Sequence, residues 1–525
     1  MSATPFSHSF SLKTLWREKS PEIAWVIIIA LAILFRLSDL WGRNLWTDEA
    51  WVALAALKPT PAEALAAGQS TPPLYLLTLW AMAKLWGSSE AILRSLSFCF
   101  GLGTVFLFWP LARRLASPGA ALLALATVAL SPVLVYFSKE LKQYSGDAFF
   151  AVALILLAER LRASQGERGW LALTLVGLLG LGFSHALIFT LPVVAVVLWL
   201  ALPFAGRLRL ALLGAVWALG FAVFYLFFFR PQVDPELVVY WTQDFPDFSG
   251  PVGFSLWLGE ALYRYLQYFL LKWGFFWGLP MLLLGMVTWW GQGPRRALLY
   301  WGGPLLLALA AAAFHRYPFM AHYGGNRLML FSAPLLYLAV AIGVTASLTW
   351  LWRQRYRWLA PVLAVLILLA LNPVEVLREN LHPSLNQGEI RPLISHLQSQ
   401  LQPRDRVYVY YYAINPFKYY FHGNLDQVCW GKSCVETGWL WPKNGDSSPR
   451  RLWLLGAHYP NLKYMEEFAA RLLGPGWRQA ACLKRPGAVL FRFDWQGPAV
   501  ANSRTPRLRP SLSGSPTPTP GRVCE

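Results

Sequence analysis

Long apolar runs free of Asp, Glu, Lys and Arg alternate with short polar turns over the first three quarters of the chain. A helix needs about 20 mostly apolar residues to cross the hydrocarbon core of a bilayer, so each run is a candidate span. They extend over Ile23 to Phe35 (continued by Arg36 to Leu40), Ser95 to Ala112, Leu115 to Ser138, Ala148 to Ala158, Gly169 to Gly206, Leu210 to Phe229, Trp273 to Pro294, Ala297 to Phe314, Leu328 to Trp352 and Trp358 to Val374. The Gly169 to Gly206 run is long enough to cross twice, which brings the expected count to about eleven. No small-residue cleavage site follows the first run, so it reads as an uncleaved span and not as a signal peptide.

Two apolar segments are laid on the outer surface. Pro72 to Gly87 is expected to be a juxtamembrane helix, with Trp and Tyr at headgroup depth, and Leu256 to Leu271 a second interfacial helix in the large loop from Arg230 to Lys272. After Val374 the pattern changes to short alternating strands. Arg406-Val-Tyr-Val-Tyr-Tyr-Tyr, Arg451-Leu-Trp-Leu-Leu and Ala488-Val-Leu-Phe-Arg-Phe read as strands, with helices expected over Ile390 to Leu401 and Asn461 to Leu473. The expected organisation is a membrane domain over 1–374, a small extracytoplasmic α/β domain over 375–495, and a disordered Pro/Ser/Thr-rich tail over 496–525.

Composition agrees with a polytopic α-helical membrane protein: of 525 residues, 56% are hydrophobic, 14% are charged and 27 are Trp, with a mean hydropathy of +0.40. A formal charge of +19 would point to nucleic acid in a soluble domain. Here the basic residues fall in alternate turns, as the positive-inside rule requires: Lys13, Arg17 and Lys19; Arg113 and Arg114; Arg160, Arg162 and Arg168; Arg207 and Arg209; Arg295 and Arg296; Arg353, Arg355 and Arg357. The other side receives nearly all the loop acids. This puts the N-terminus in the cytoplasm and the C-terminal domain outside a cytoplasmic (inner) membrane, and nucleic acid is not needed as a partner. Among the five cysteines no zinc spacing occurs, and Cys429 with Cys434 is a candidate disulfide in an oxidising compartment.

The expected outer face collects ionisable groups. Asp48 and Glu49 lie in the first loop; Lys139, Glu140, Lys142, Tyr144 and Asp147 lie where the third span turns into the fourth. His185 is at the turn of the fifth and sixth, and His315, Arg316, Tyr317, His322, Tyr323 and Arg327 precede the tenth. The uncharged run after Asp147 is only eleven residues long, so Asp147 belongs at the rim of its span or inside it, where ionisable groups have partners and a function.

The Asp48-Glu49 pair, Thr71-Pro-Pro-Leu-Tyr75 followed by Trp86-Gly-Ser-Ser-Glu90 and Arg94, the Ser138-Lys-Glu-Leu-Lys-Gln-Tyr144 turn, and Gly325-Asn-Arg-Leu-Met-Leu-Phe-Ser-Ala-Pro334 together resemble the GT-C superfamily of polytopic glycosyltransferases. Within it they resemble the family 39 and protein-mannosyltransferase-like group that includes the bacterial aminoarabinose transferases. The resemblance covers roughly the first 350 residues. It implies a hexosyl- or pentosyltransferase that takes a sugar from a polyprenyl-phosphate donor and passes it, on the outer face, to a lipid, glycan or protein acceptor. Where many relatives have His, or an acidic residue and Lys, before the proline, this chain has Thr71, so no metal is assigned and a divalent metal is left open.

The chemistry gives each residue a role. A carboxylate near the membrane surface can remove the acceptor's proton, and Asp48 is the candidate base, with Glu49 orienting it or the acceptor. Fixed cations lower the barrier where charge develops on the leaving phosphate, and Lys139, Lys142 and Arg327 are the candidates, with Tyr144 and Asp147 also toward the donor. Competing readings are a lipid-linked sugar flippase, which should show repeated halves and midplane polar groups, and a non-catalytic envelope scaffold.

Overall fold

The computed structural model describes residues 12–232, 239–271, 273–319, 325–382, 388–431, 434, 437, 439–440, 451–473 and 476–496. The expected tail, together with Asp234, Glu236, His322 and Tyr323, lies outside the described residues except for Gln496. The chain forms two compact units. One comprises Met1–Leu40 with Ala55–Pro383, the other Trp41–Leu54 with Ser384–Glu525. The division falls later than 374/375, and the stretch that carries Asp48 and Glu49 groups with the C-terminal part instead of the membrane domain.

The first unit is helical, and every expected span is a helix in whole or in large part. Among the described residues six helices are long and apolar enough, by length and composition, to cross a membrane, and Pro118–Leu130 and Leu187–Ala201 are shorter apolar helices. Leu171, Leu175 and Leu179 form an exposed stripe along helix Glu167–Phe183, and Leu208, Leu212 and Leu219 another along Phe204–Phe224. Exposed apolar stripes of this kind suit a bilayer as solvent, and the chain is a multi-pass membrane protein.

The expected third span is broken. Helix Pro118–Leu130 ends at Ser131, and Pro132, which has no amide hydrogen to give and crowds the preceding turn, starts helix Pro132–Phe137. The carbonyls freed by the break are satisfied from elsewhere. Buried Arg36 donates to the carbonyls of Ala129 (2.7 Å) and Val128 (3.3 Å), Asn380 donates to Leu130 (2.8 Å), and Ser131 shares a hydrogen bond with the Tyr337 hydroxyl (2.7 Å). The expected surface segments are helices as well, over Pro73–Trp86 and Pro251–Leu270.

In the second unit a five-stranded sheet runs in the order β2-β1-β3-β5-β4, with β1 Arg406–Val409, β2 Val428–Trp430, β3 Arg451–Ala457, β4 Trp477–Arg485 and β5 Ala488–Trp495. β1 is parallel to β2 and β3, while β5 is antiparallel to β3 and β4. Side chains alternate across the sheet. Val407, Trp453 and Leu455 pack under helix Ile390–Gln400, and Tyr408, Leu454 and Phe491 under helix Leu462–Leu473. Cys429, in β2, and Cys434 form the candidate disulfide.

Candidate active site

The helical unit buries an unusual amount of polarity in one turn. Between helix Pro132–Phe137 and helix Tyr144–Ala163 the backbone folds tightly, with the Lys139 amide on the Tyr136 carbonyl and the Lys142 amide on that of Glu140. Ser138, Lys139, Glu140, Lys142, Gln143, Ser145 and Asp147 are all buried there. Polar groups at this depth must be partnered, and the turn is pinned from the Thr71–Tyr75 motif and its neighbours. The Tyr75 hydroxyl meets the Ser97 hydroxyl (2.8 Å), which donates to the Lys142 carbonyl (3.0 Å). Gln143 donates to the Ser70 carbonyl (3.3 Å), and Gln232 brackets Thr71 through its amide and carbonyl.

The turn sends its two lysines to different places. The Lys139 ammonium donates to the Phe35 carbonyl (3.1 Å), the Ser38 hydroxyl (3.3 Å) and the Asn380 carbonyl (3.4 Å). It therefore closes the C-terminal end of helix Leu12–Leu37, a place where cations complement the exposed carbonyls. Lys142 lies within electrostatic reach of His185.

The remaining candidates lie around Tyr144 and the Tyr268 and Tyr317 hydroxyls. The Arg327 guanidinium lies over the Tyr144 ring at 5.5 Å, and Arg327, Glu140, Tyr136 and Tyr144 are all within electrostatic reach of the Tyr268 hydroxyl. Tyr317, stacked edge-on against Phe189 at 4.9 Å, sits within reach of both Asp147 and Tyr144. Asp147 accepts the Ser184 hydroxyl at 2.5 Å and the Ala186 amide, and so pins the loop that carries His185. The His185 ring lies edge-on against Phe229 (4.9 Å), and its buried Nε2 has no hydrogen-bond partner among the described residues.

Asp48 and Glu49 belong to the second unit. They open helix Thr47–Ala56, where negative charge complements the free amides of the first turn. Glu49 is fully buried, paired with Arg43 (3.3 Å) and accepting the Trp46 amide (3.5 Å); it holds the helix start. Asp48 is only half-buried. The sheet domain fixes the segment: the Leu45 amide donates to the Tyr420 hydroxyl (2.8 Å), Thr47 donates to the Tyr412 carbonyl, and Trp46 packs on His458 (5.5 Å). Among the loop acids Asp247 is the fully exposed contrast. The Ser249 amide donates to it at 2.8 Å and holds its carboxyl below the usual range, which makes it a weak base.

Sequence reasoning singled out Lys142, Tyr144 and Arg327 but gave no role to Glu140, Tyr268 or buried Arg94. No periodicity signals these; the clue was that Glu140 and Arg94 are charges inside the motifs that carry the resemblance. Among the described residues no group of three His, Cys, Asp or Glu side chains converges to hold a metal.

The fold is that of the GT-C glycosyltransferases. It resembles apo ArnT from Cupriavidus metallidurans, with a TM-score of 0.53 at 15% identity over 92% of this chain and 98% of that one. It also resembles the oligosaccharyltransferase of Archaeoglobus fulgidus in its complex with Zn and sulfate, with a TM-score of 0.50 at 11% identity over 89% and 72%. Residues 70–233, which hold the Thr71–Tyr75 motif and the polar turn, match the family described as dolichyl-phosphate-mannose-protein mannosyltransferase. No curated protein matches the chain in sequence.

Proposed function

We propose that this protein transfers a hexosyl or pentosyl group from a polyprenyl-phosphate carrier to a lipid, glycan or protein acceptor at the outer face of the cytoplasmic membrane, through a bundle that crosses it about eleven times with the N-terminus inside. Two observations within the helical unit support the reading: Lys142, buried in the polar turn, lies within electrostatic reach of His185, and the Arg327 guanidinium lies over the ring of Tyr144, two residues further along that turn. Cations held at that depth have a reason to persist when their ligand is anionic. The family match over 70–233 supports a polyprenyl-phosphate donor.

In this reading Lys142 and Arg327 bind the phosphate. As the anomeric carbon–oxygen bond breaks, the leaving phosphate gains charge, and fixed donors in a dry site stabilise that charge without reorganising. Tyr144 supports the Arg327 guanidinium from beneath, and Asp147 positions the His185 loop. Asp48, half-buried in the first turn of helix Thr47–Ala56, removes the acceptor's proton.

Purified protein in lipid, offered radiolabelled polyprenyl-phosphate sugars and an extract of envelope acceptors, should form a labelled product that Asp48→Asn does not form. A product from both would remove Asp48 as base. No product from any donor by either, with net movement of labelled lipid across vesicles, would replace the transferase with a flippase.

A further inference from the structure

Helix Ala333–Arg353 and helix Leu359–Leu371 follow one another through the turn 354–358, and their facing surfaces do not close. A cavity of about 250 Å³ lies along them, lined by Leu270, Trp277, Tyr337, Val344 and Ile367 among others. A second of about 410 Å³ continues it, since Leu348 and Ala364 line both, and ends on Trp352 and Arg353. At 1.5 Å per residue about 24 Å of helix separates Tyr337 from Arg353, most of a hydrocarbon core about 30 Å thick.

The two ends of this groove differ. At one end the Tyr337 hydroxyl is already engaged, shared with Ser131 (2.7 Å) and donating to the Phe269 carbonyl (2.9 Å). At the other, Arg353, Arg355 and Arg357 are exposed beside Trp352 (65%), Tyr356 (58%) and Trp358 (61%). None of the three guanidiniums makes an ion pair among the described residues.

We propose that this groove binds one anionic phospholipid from the leaflet at the arginine end, its phosphate on Arg353 and one acyl chain running toward Tyr337. An apolar groove open to a bilayer is filled by hydrocarbon, and the choice of lipid is made where the walls become polar. A planar guanidinium presents parallel donors that match phosphate oxygens, and three uncompensated cations in one turn favour a head group with net negative charge. The aromatic rings around them sit at headgroup depth. The closed Tyr337 end orients the lipid. This site rests on the membrane reading of the helices and not on the transfer reaction.

Full-length protein is reconstituted in nanodiscs of equal phosphatidylglycerol and phosphatidylethanolamine, extracted, and examined by native mass spectrometry. One retained phosphatidylglycerol per chain is expected, with occupancy falling at least tenfold in Arg353→Gln, a change at an exposed position, and in Ala364→Trp, which fills the groove. Arg353→Lys should recover part of it. Equal retention of the two lipids, or wild-type occupancy in both variants, overturns the proposal. So does displacement by added polyprenyl phosphate at equimolar amounts, which would give the groove to the sugar carrier. Transfer activity is read separately, so loss of lipid retention with full transfer, or the reverse, separates this site from the catalytic reading.

Discussion

The Asp147 carboxylate accepts the hydroxyl of Ser184, a residue that also receives the Leu187 amide at 3.1 Å and so starts helix Leu187–Ala201. Asp147 thus fastens one end of helix Tyr144–Ala163 to the loop that carries His185. Asp147→Asn keeps an acceptor oxygen and is expected to stay within about 1 kcal/mol of wild type with most of its transfer. Asp147→Leu leaves the Ser184 hydroxyl and the Ala186 amide without an acceptor, a loss of about 1–3 kcal/mol, and displaces His185. Thermal unfolding in detergent beside transfer rates checks both; loss of transfer in a fully stable Asn variant would return Asp147 to direct substrate contact.

Lys139 and Lys142 should separate cleanly. In Lys139→Met the carbonyls of Phe35 and Asn380 lose a donor in a buried place, so stability is expected to fall by about 1–3 kcal/mol while the surviving folded protein keeps its KM for the donor. Lys142→Met is expected to lower transfer about 100-fold or more, the usual effect of removing one group aimed at developing charge, with partial recovery in Lys142→Arg. Equal kinetic effects from the two lysines would contradict the split.

The difference between these lysines marks where sequence reading stops. Hydrophobic periodicity located the helices because burial in lipid is a property of each segment alone. β2 and β4 escaped it because they are edge strands: β2 has three residues, and β4 carries Arg478, Gln479, Lys484 and Arg485 without a regular apolar alternation. The break at Pro132 was invisible in a run whose every residue is apolar or small, since its cost is met by Arg36 and Asn380 from distant parts of the chain. Which partners each lysine of a seven-residue turn reaches depends on backbone direction, and spacing does not encode it. The same holds for Asp48, whose segment was read with the membrane domain and is held by Tyr420, Tyr412 and His458 more than 350 residues further on.

Glu159 joins helix Tyr144–Ala163 to helix Arg296–Ala313. It is buried, takes two hydrogen bonds from Arg296 (2.7 Å each) and one from the Tyr300 hydroxyl (3.0 Å), and lies 3.5 Å from Arg162. Removing one partner of such a group leaves the other charge buried, so Arg296→Ala is expected to cost about 3 kcal/mol. Glu159→Gln with Arg296→Met, which removes both charges, should recover much of that loss. A double-mutant cycle on thermal unfolding reads the coupling, and additive effects would deny it.

Helices Gly274–Gly291 and Ala333–Arg353 cross with backbone against backbone. A Cβ at Gly285 would overlap the Ala339 carbonyl oxygen, and one at Gly343 would overlap that of Met281, so the two glycines make reciprocal contacts. Without a hydrophobic drive between helices in lipid, such close approach supplies the packing that holds them, and main-chain atoms cannot step aside as a side chain can. Gly343→Ala is therefore expected to cost at least about 1–3 kcal/mol by overpacking, and Gly343→Leu to prevent stable folding. Because the 3-10 segment Gly325–Ser332 carrying Arg327 leads directly into helix Ala333–Arg353, the alanine variant should also weaken donor binding in proportion to its shift of that helix. Gly214 and Gly302 have open space at the same position, and alanine there should stabilise by about 0.5–1 kcal/mol through helix propensity alone. Thermal unfolding of the four single variants decides it, and equal effects at Gly343 and Gly302 would show that the crossing is not tight.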